Sequence, residues 1–155
     1  MQTVNKTALQ KAQAYAFLLL KFRLRSRHEL YERLKKKKFE EGVIRECLDF
    51  LEERHFIDDS QFVKAWANSR LKKNFGVKRI AGELRLKGIS KQIIDSYISK
   101  LKEDYSEVKI VEDLAFKRME RLKDLDPQVA KRRLYSYLMR RGFSSEAVSE
   151  AINNL

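Results

Sequence analysis

The chain is poor in everything that interrupts a helix. Its 155 residues include one proline and five glycines, and no β-branched run alternates with polar residues, so little favours strands. Cysteine occurs once, as Cys47; an intramolecular disulfide is excluded and a reducing compartment fits. Cys47 falls between Ile44 and Leu48 on an expected helix, the place of a small, half-buried residue. The two histidines, His28 and His55, stand apart without metal-ligand spacing or a cysteine pair, so no metal is expected. The scattered glycines form no phosphate-cradling loop, so no nucleotide cofactor is expected either. Long hydrophobic runs are missing too. Ala14 to Leu20 is apolar but is closed by Lys21, well short of the ~20 residues that span a bilayer. The start, Met1 to Lys6, shows neither a basic, apolar leader nor a cleavage site, which predicts a cytoplasmic protein without a membrane role.

Negative charge is also in deficit. Lys and Arg number 34 against 22 Asp and Glu, a formal net charge of +12. Such an excess favours polyanionic partners, nucleic acid foremost. The apolar content of 43% is ordinary and sufficient for a core.

What the sequence does contain is a repeat. Leu30, Leu34, Phe39, Ile44, Leu48 and Leu51 recur as Ile80, Leu84, Ile89, Ile94, Ile98 and Leu101, then as Leu134, Leu138, Phe143, Val148, Ile152 and Leu155. Ile80 lies 50 positions after Leu30, and Leu134 lies 54 after Ile80, with no gap inside a block. A period near 50 indicates stacked helical units. The fold class expected is therefore all-α: three tandem three-helix repeats in an elongated, curved array, with repeats at 1–58, 59–105 and 106–155.

Capping residues mark the helices. Ser26 followed by Glu29 is a capping box. Asp58-Asp59-Ser60 supplies oxygen acceptors where a helix with Phe62 and Trp66 begins. These two carboxylates are read as cap residues rather than as a catalytic pair, with Asp59 taken for the cap, and no enzyme is expected. Asp126-Pro127 places a cap before proline at the first helical position. Gly88 and Gly142 fit left-handed helix ends, followed by Ser90 and Ser144 as the next caps. Lys38 occupies the equivalent place in the first repeat, which predicts a strained or differently shaped corner there, at a cost on the order of 1 kcal/mol. Each unit reads as a leading helix (8–23, 60–73, 106–123), a second (26–37, 76–87, 127–141) and a third (40–54, 90–101, 144–155).

The block from Gly76 to Ile89, with Lys78-Arg79-Ile80 and Leu86-Lys87-Gly88-Ile89, follows Phe56-Ile57-Asp58-Asp59-Ser60-Gln61-Phe62. Together with Arg25-Ser26 and Glu29-Leu30 early in the chain and Arg141-Gly142-Phe143 late in it, these motifs resemble the RecX family, regulators of the RecA recombinase. The resemblance spans Ala8 to Leu155 and departs at Lys38. It implies three tandem three-helix repeats and a protein that binds RecA–DNA filaments, restraining recombinase, ATPase and co-protease activities. Two modes are left open: blocking a filament end, or lying in its groove.

The basic residues concentrate on the second helices and their neighbours. Arg70, Lys73, Lys78, Arg79, Arg85 and Lys87 in the second repeat, with Arg132, Arg133, Arg140 and Arg141 in the third, are the candidate nucleic-acid and partner contacts. Lys78-Arg79 and Arg132-Arg133 share repeat positions, where the first repeat has Glu29. About five phosphate contacts, to single- or double-stranded DNA, would give steep salt dependence without base readout. Acidic residues gather instead on the third helices, as Glu40-Glu41, Glu46, Asp49 and Glu52-Glu53, a face suited to protein contact. The aromatic residues fall mostly in core phase, with Trp66 and Tyr137 the candidates for base stacking. The expected partner is thus the RecA filament, bound by a monomer. The alternatives are a general helical nucleic-acid-binding protein and a protein scaffold that binds no DNA.

Overall fold

The computed structural model describes residues 5–155. Met1 to Val4, where a leader was sought, lie outside the described residues. Among the described residues there are nine α-helices and no strand. They are α1 (Lys6–Phe22), α2 (Arg27–Lys36), α3 (Glu41–Glu53), α4 (Asp59–Leu71), α5 (Val77–Leu86), α6 (Lys91–Asp104), α7 (Glu107–Glu120), α8 (Pro127–Arg140) and α9 (Ser145–Asn153). No described helix is long and apolar enough to cross a membrane.

The caps set most of these boundaries. Ser26 Oγ accepts from Glu29 N at 3.1 Å while the Glu29 carboxylate accepts from Ser26 N, so the capping box is complete. Asp126 Oδ1 accepts from Gln128 N and Val129 N ahead of Pro127. Ser144 and Ser90 hydroxyls cap α9 and α6 at 3.3 and 3.4 Å. Ser106 makes no such bond at α7. At α4 the cap is Asp58 rather than Asp59: Asp58 Oδ1 accepts from Ser60 N at 2.8 Å and Gln61 N at 3.3 Å. Asp59 is already helical, and its carboxylate accepts from Arg27 N at 2.9 Å, serving the start of α2.

The chain divides into two compact units. One runs to Ala65 and includes Arg85–Ile93; the other comprises Trp66–Leu84 and Ile94–Leu155. In the first, α1, α2 and α3 pack together around Ala16, Leu30, Leu34, Ile44, Leu48 and Leu51. Cys47 sits inside that core, fully rather than half buried, and burial pushes its thiol up to about 11. In the second, α7, α8 and α9 enclose Val111, Ala115, Leu134, Leu138, Phe143 and Val148. The repeated apolar positions of the first and third repeats therefore line these cores, and Ile80, Leu84, Ile89 and Ile94 of the second are buried too. Leu155 is the exception: α9 ends at Asn153, and Leu155, just beyond it, is exposed.

Each unit also contains a junction of helix ends. In the second, Gly76 N donates to Arg141 O at 2.8 Å and Lys78 N donates to Gly142 O at 3.1 Å, so the start of α5 meets the end of α8. In the first, Ser26 Oγ donates to Lys87 O at 2.6 Å, so the start of α2 meets the end of α5. Carbonyls left over at helix ends are thereby satisfied, by amides in the second unit and by a serine hydroxyl in the first. Gly88 and Gly142 have φ of 72° and 87°. A Cβ on Gly88 would collide with His28, and one on Gly142 with Arg79. Lys38 adopts the same conformation at φ 64°. The first corner thus keeps the shape of the others, and Lys38 is exposed there.

Candidate functional site

The candidate basic residues divide by what holds them. Three in the second unit are tied down. Arg70 Nε donates to Glu83 Oε2 at 2.6 Å and Arg79 Nε donates to Glu83 Oε1 at 3.1 Å. Trp66 Nε1 adds a third bond to the same carboxylate at 2.9 Å. Burial pushes the Glu83 carboxyl up, but these donors outweigh it and hold it below the ordinary value. Arg141 donates from Nε to Asn74 O at 2.9 Å and from its terminal nitrogen to Lys73 O, tying α8 to the chain after α4.

The same arginines are layered on rings. The Arg79 and Arg141 guanidinium carbons lie 4.0 and 4.4 Å from the Phe75 ring centre. Arg141 also lies 5.6 Å from Tyr137, and Arg118 lies 4.6 Å from it. Arg70 sits 4.5 Å from the Trp66 ring. Trp66 and Tyr137, the two candidates for base stacking, are half-buried beneath these cations. The exposed rings are Phe17, Phe22, Phe56, Phe116 and Tyr135.

Arg132, Arg133 and Arg140 are exposed, and no described residue forms an ion pair with them. With Arg118 from α7 they border a recess of about 410 Å³ that Ser136 and Tyr137 also line. Positions 133, 136, 137 and 140 share one face of α8 by helical spacing, which is why one helix supplies most of the wall. The sequence singled out three of these arginines. It missed the part played by Arg118, which becomes visible only when α7 packs beside α8. Lys73 and Lys78 are exposed on the same unit.

Arg85 and Lys87 belong to the first unit. Arg85 is exposed, whereas Lys87 Nζ donates to Glu29 Oε1 at 2.9 Å. Glu29 also takes two bonds from Arg23, at 2.8 and 3.1 Å. Burial opposes its ionisation, but these donors and Ser26 N lower its carboxyl to about 2. The acidic face of α3 is partly engaged as well, since Arg27 bonds Asp49 at 2.7 Å and Glu52 at 2.6 Å. Among the described residues, no group of three or more His, Cys, Asp or Glu is placed to hold a metal.

Comparison with known proteins agrees with this architecture. Residues 12–51, 58–98 and 106–152 match, in order, the first, second and third three-helix domains of RecX. The regulatory protein RecX of Chlorobium phaeobacteroides (strain BS1) is 35% identical over 147 residues, covering 94% of each chain. That of Haemophilus influenzae (strain PittEE) is 32% identical over 139 residues, covering 89% of this chain and 90% of its own. The crystal structure of RecX from Lactobacillus salivarius superposes with a TM-score of 0.86 at 22% identity, over 97% of this chain and 98% of that one, a likeness of fold. Three matched domains in the order of the helical repeats, and relatives aligned nearly end to end, make this chain a member of the RecX family.

Proposed function

We propose that this chain is a non-enzymatic regulator that binds RecA filaments on DNA and restrains their recombinase, ATPase and co-protease activities. It acts in the cytoplasm as a monomer and without a cofactor. The observation that carries this reading is the near end-to-end match to proteins named regulatory protein RecX. Support from the chain itself comes from the exposed arginines around the α8 recess, which suit a polyanion. A regulator shifts a filament only through its difference in affinity for two states, so inhibition should appear well below the concentration that coats DNA.

The test is RecA's DNA-dependent ATPase, titrated with this protein at fixed DNA. Inhibition at amounts far below DNA saturation is the expected result. If inhibition appears only once free DNA is covered, the chain is a general nucleic-acid-binding protein, a reading the free arginines of α8 also favour.

A further inference from the structure

Four arginines around one recess are hard to explain by stability. Arg118, Arg132, Arg133 and Arg140 repel one another, and no described carboxylate pairs with any of them. Elsewhere in the same unit the fold engages three arginines, with Glu83 pairing Arg70 and Arg79, and backbone carbonyls accepting hydrogen bonds from Arg141. The recess thus gathers four guanidiniums that have no carboxylate partner among the described residues. Arg118 is held in place by the Tyr137 ring, itself under Arg141, so part of the wall is organised before any ligand arrives. Guanidinium is a rigid, planar donor that grips phosphate oxygens in pairs, and the Ser136 hydroxyl can add a further donor.

We propose that this recess is a discrete phosphate-binding site, in which several arginines share one phosphate group of a nucleic-acid backbone. It is distinct from a diffuse basic strip in which each cation meets its own phosphate. The proposal rests on the polyanion-binding reading above and makes it specific to one place.

Sharing has a measurable signature, because residues that hold one group couple whereas independent contacts add. Binding of a labelled single-stranded oligonucleotide, without RecA, would be followed by fluorescence anisotropy for Arg133→Gln, Arg140→Gln and the double variant. Each single change should weaken binding several-fold, and the double change should fall well short of the product of the two. Pairing Arg133→Gln with Lys78→Gln, which lies outside the recess, should give the full product. Arg133→Lys, which keeps the charge but not the fork, should bind between wild type and Arg133→Gln. Unfolding midpoints should be unchanged, since these side chains are exposed and unpaired.

Inorganic pyrophosphate and ATP, added separately as competitors, tell the phosphate sources apart. Displacement of the oligonucleotide by either at sub-millimolar levels would mean that free phosphates also enter the site; no displacement would assign it to the backbone alone. The proposal is overturned if the Arg133 and Arg140 effects multiply, or if DNA binding ignores all of these changes. The latter result, with loss of RecA inhibition, would give the recess to an acidic protein surface. Failure of the wild-type protein to inhibit RecA would sink the regulatory reading while leaving the coupling result intact.

Discussion

At the scale of single residues, the glycines at the helix ends do two jobs at once. Gly142 holds a positive φ and lies against the Arg79 backbone with no room for a Cβ. Gly142→Ala should therefore destabilise by more than the conformational cost of about 1–2 kcal/mol alone, read as a fall in the urea midpoint. Lys38 carries the same φ but is exposed, so only the conformational part applies there. The sequence displayed the glycine position; the close approach was hidden because the touching residue is more than sixty positions away. Glu29 gives a second residue-level expectation. Its folded carboxyl at about 2 lies below its ordinary value of 4.5, so the folded state favours the ionised form. The stability it contributes is present above pH 4.5 and is lost as pH falls toward 2. Glu29→Gln should flatten that part of the acid-unfolding profile, as followed by circular dichroism.

At the scale of helices, much was legible because the signals are local. The capping box at Ser26, the Asp126-Pro127 start and the apolar phase of Leu134, Leu138 and Val148 all act within one or two turns. Asp58 and Asp59 show where local reading stops. Both stand at a helix start, and only the fold reveals that Asp58 caps α4 while Asp59 reaches Arg27 N at the start of α2. Asp58→Ala should cost about 0.5–2 kcal/mol, the ordinary value of a cap. Asp59→Ala should cost stability as well, by leaving the Arg27 amide without its acceptor. Comparing thermal unfolding of the two variants checks the assignment, and no loss in Asp58→Ala would refute it. The candidate site was legible to the same degree: Arg132, Arg133 and Arg140 lie on one helix, whereas Arg118 joins them from another. Arg79 and Glu83 stand four apart on α5, a pairing local spacing allows, whereas the fold alone brings Arg70 to the same carboxylate and Arg141 to the carbonyls of Lys73 and Asn74.

At the scale of the whole molecule, the proposed nucleic-acid binding by a chain of net charge +12 should depend steeply on salt. Each phosphate contact on a single strand adds about −0.7 to the slope of log affinity against log salt, so a few contacts predict a clearly negative slope. An equilibrium titration between low and moderate salt measures it, and a flat line would contradict phosphate binding. The helix-end junctions have a further consequence for anyone cutting the gene into pieces. Gly76 and Lys78 belong to the second matched domain, yet their amides close the carbonyls of Arg141 and Gly142 in the third. Lys87, from the second, likewise closes on Ser26 in the first. The segment that ancestry copied and the body that packs are out of step. A fragment trimmed at a repeat boundary would carry a bare seam into solution, and its behaviour would report the wound of the cut together with the properties of the repeat.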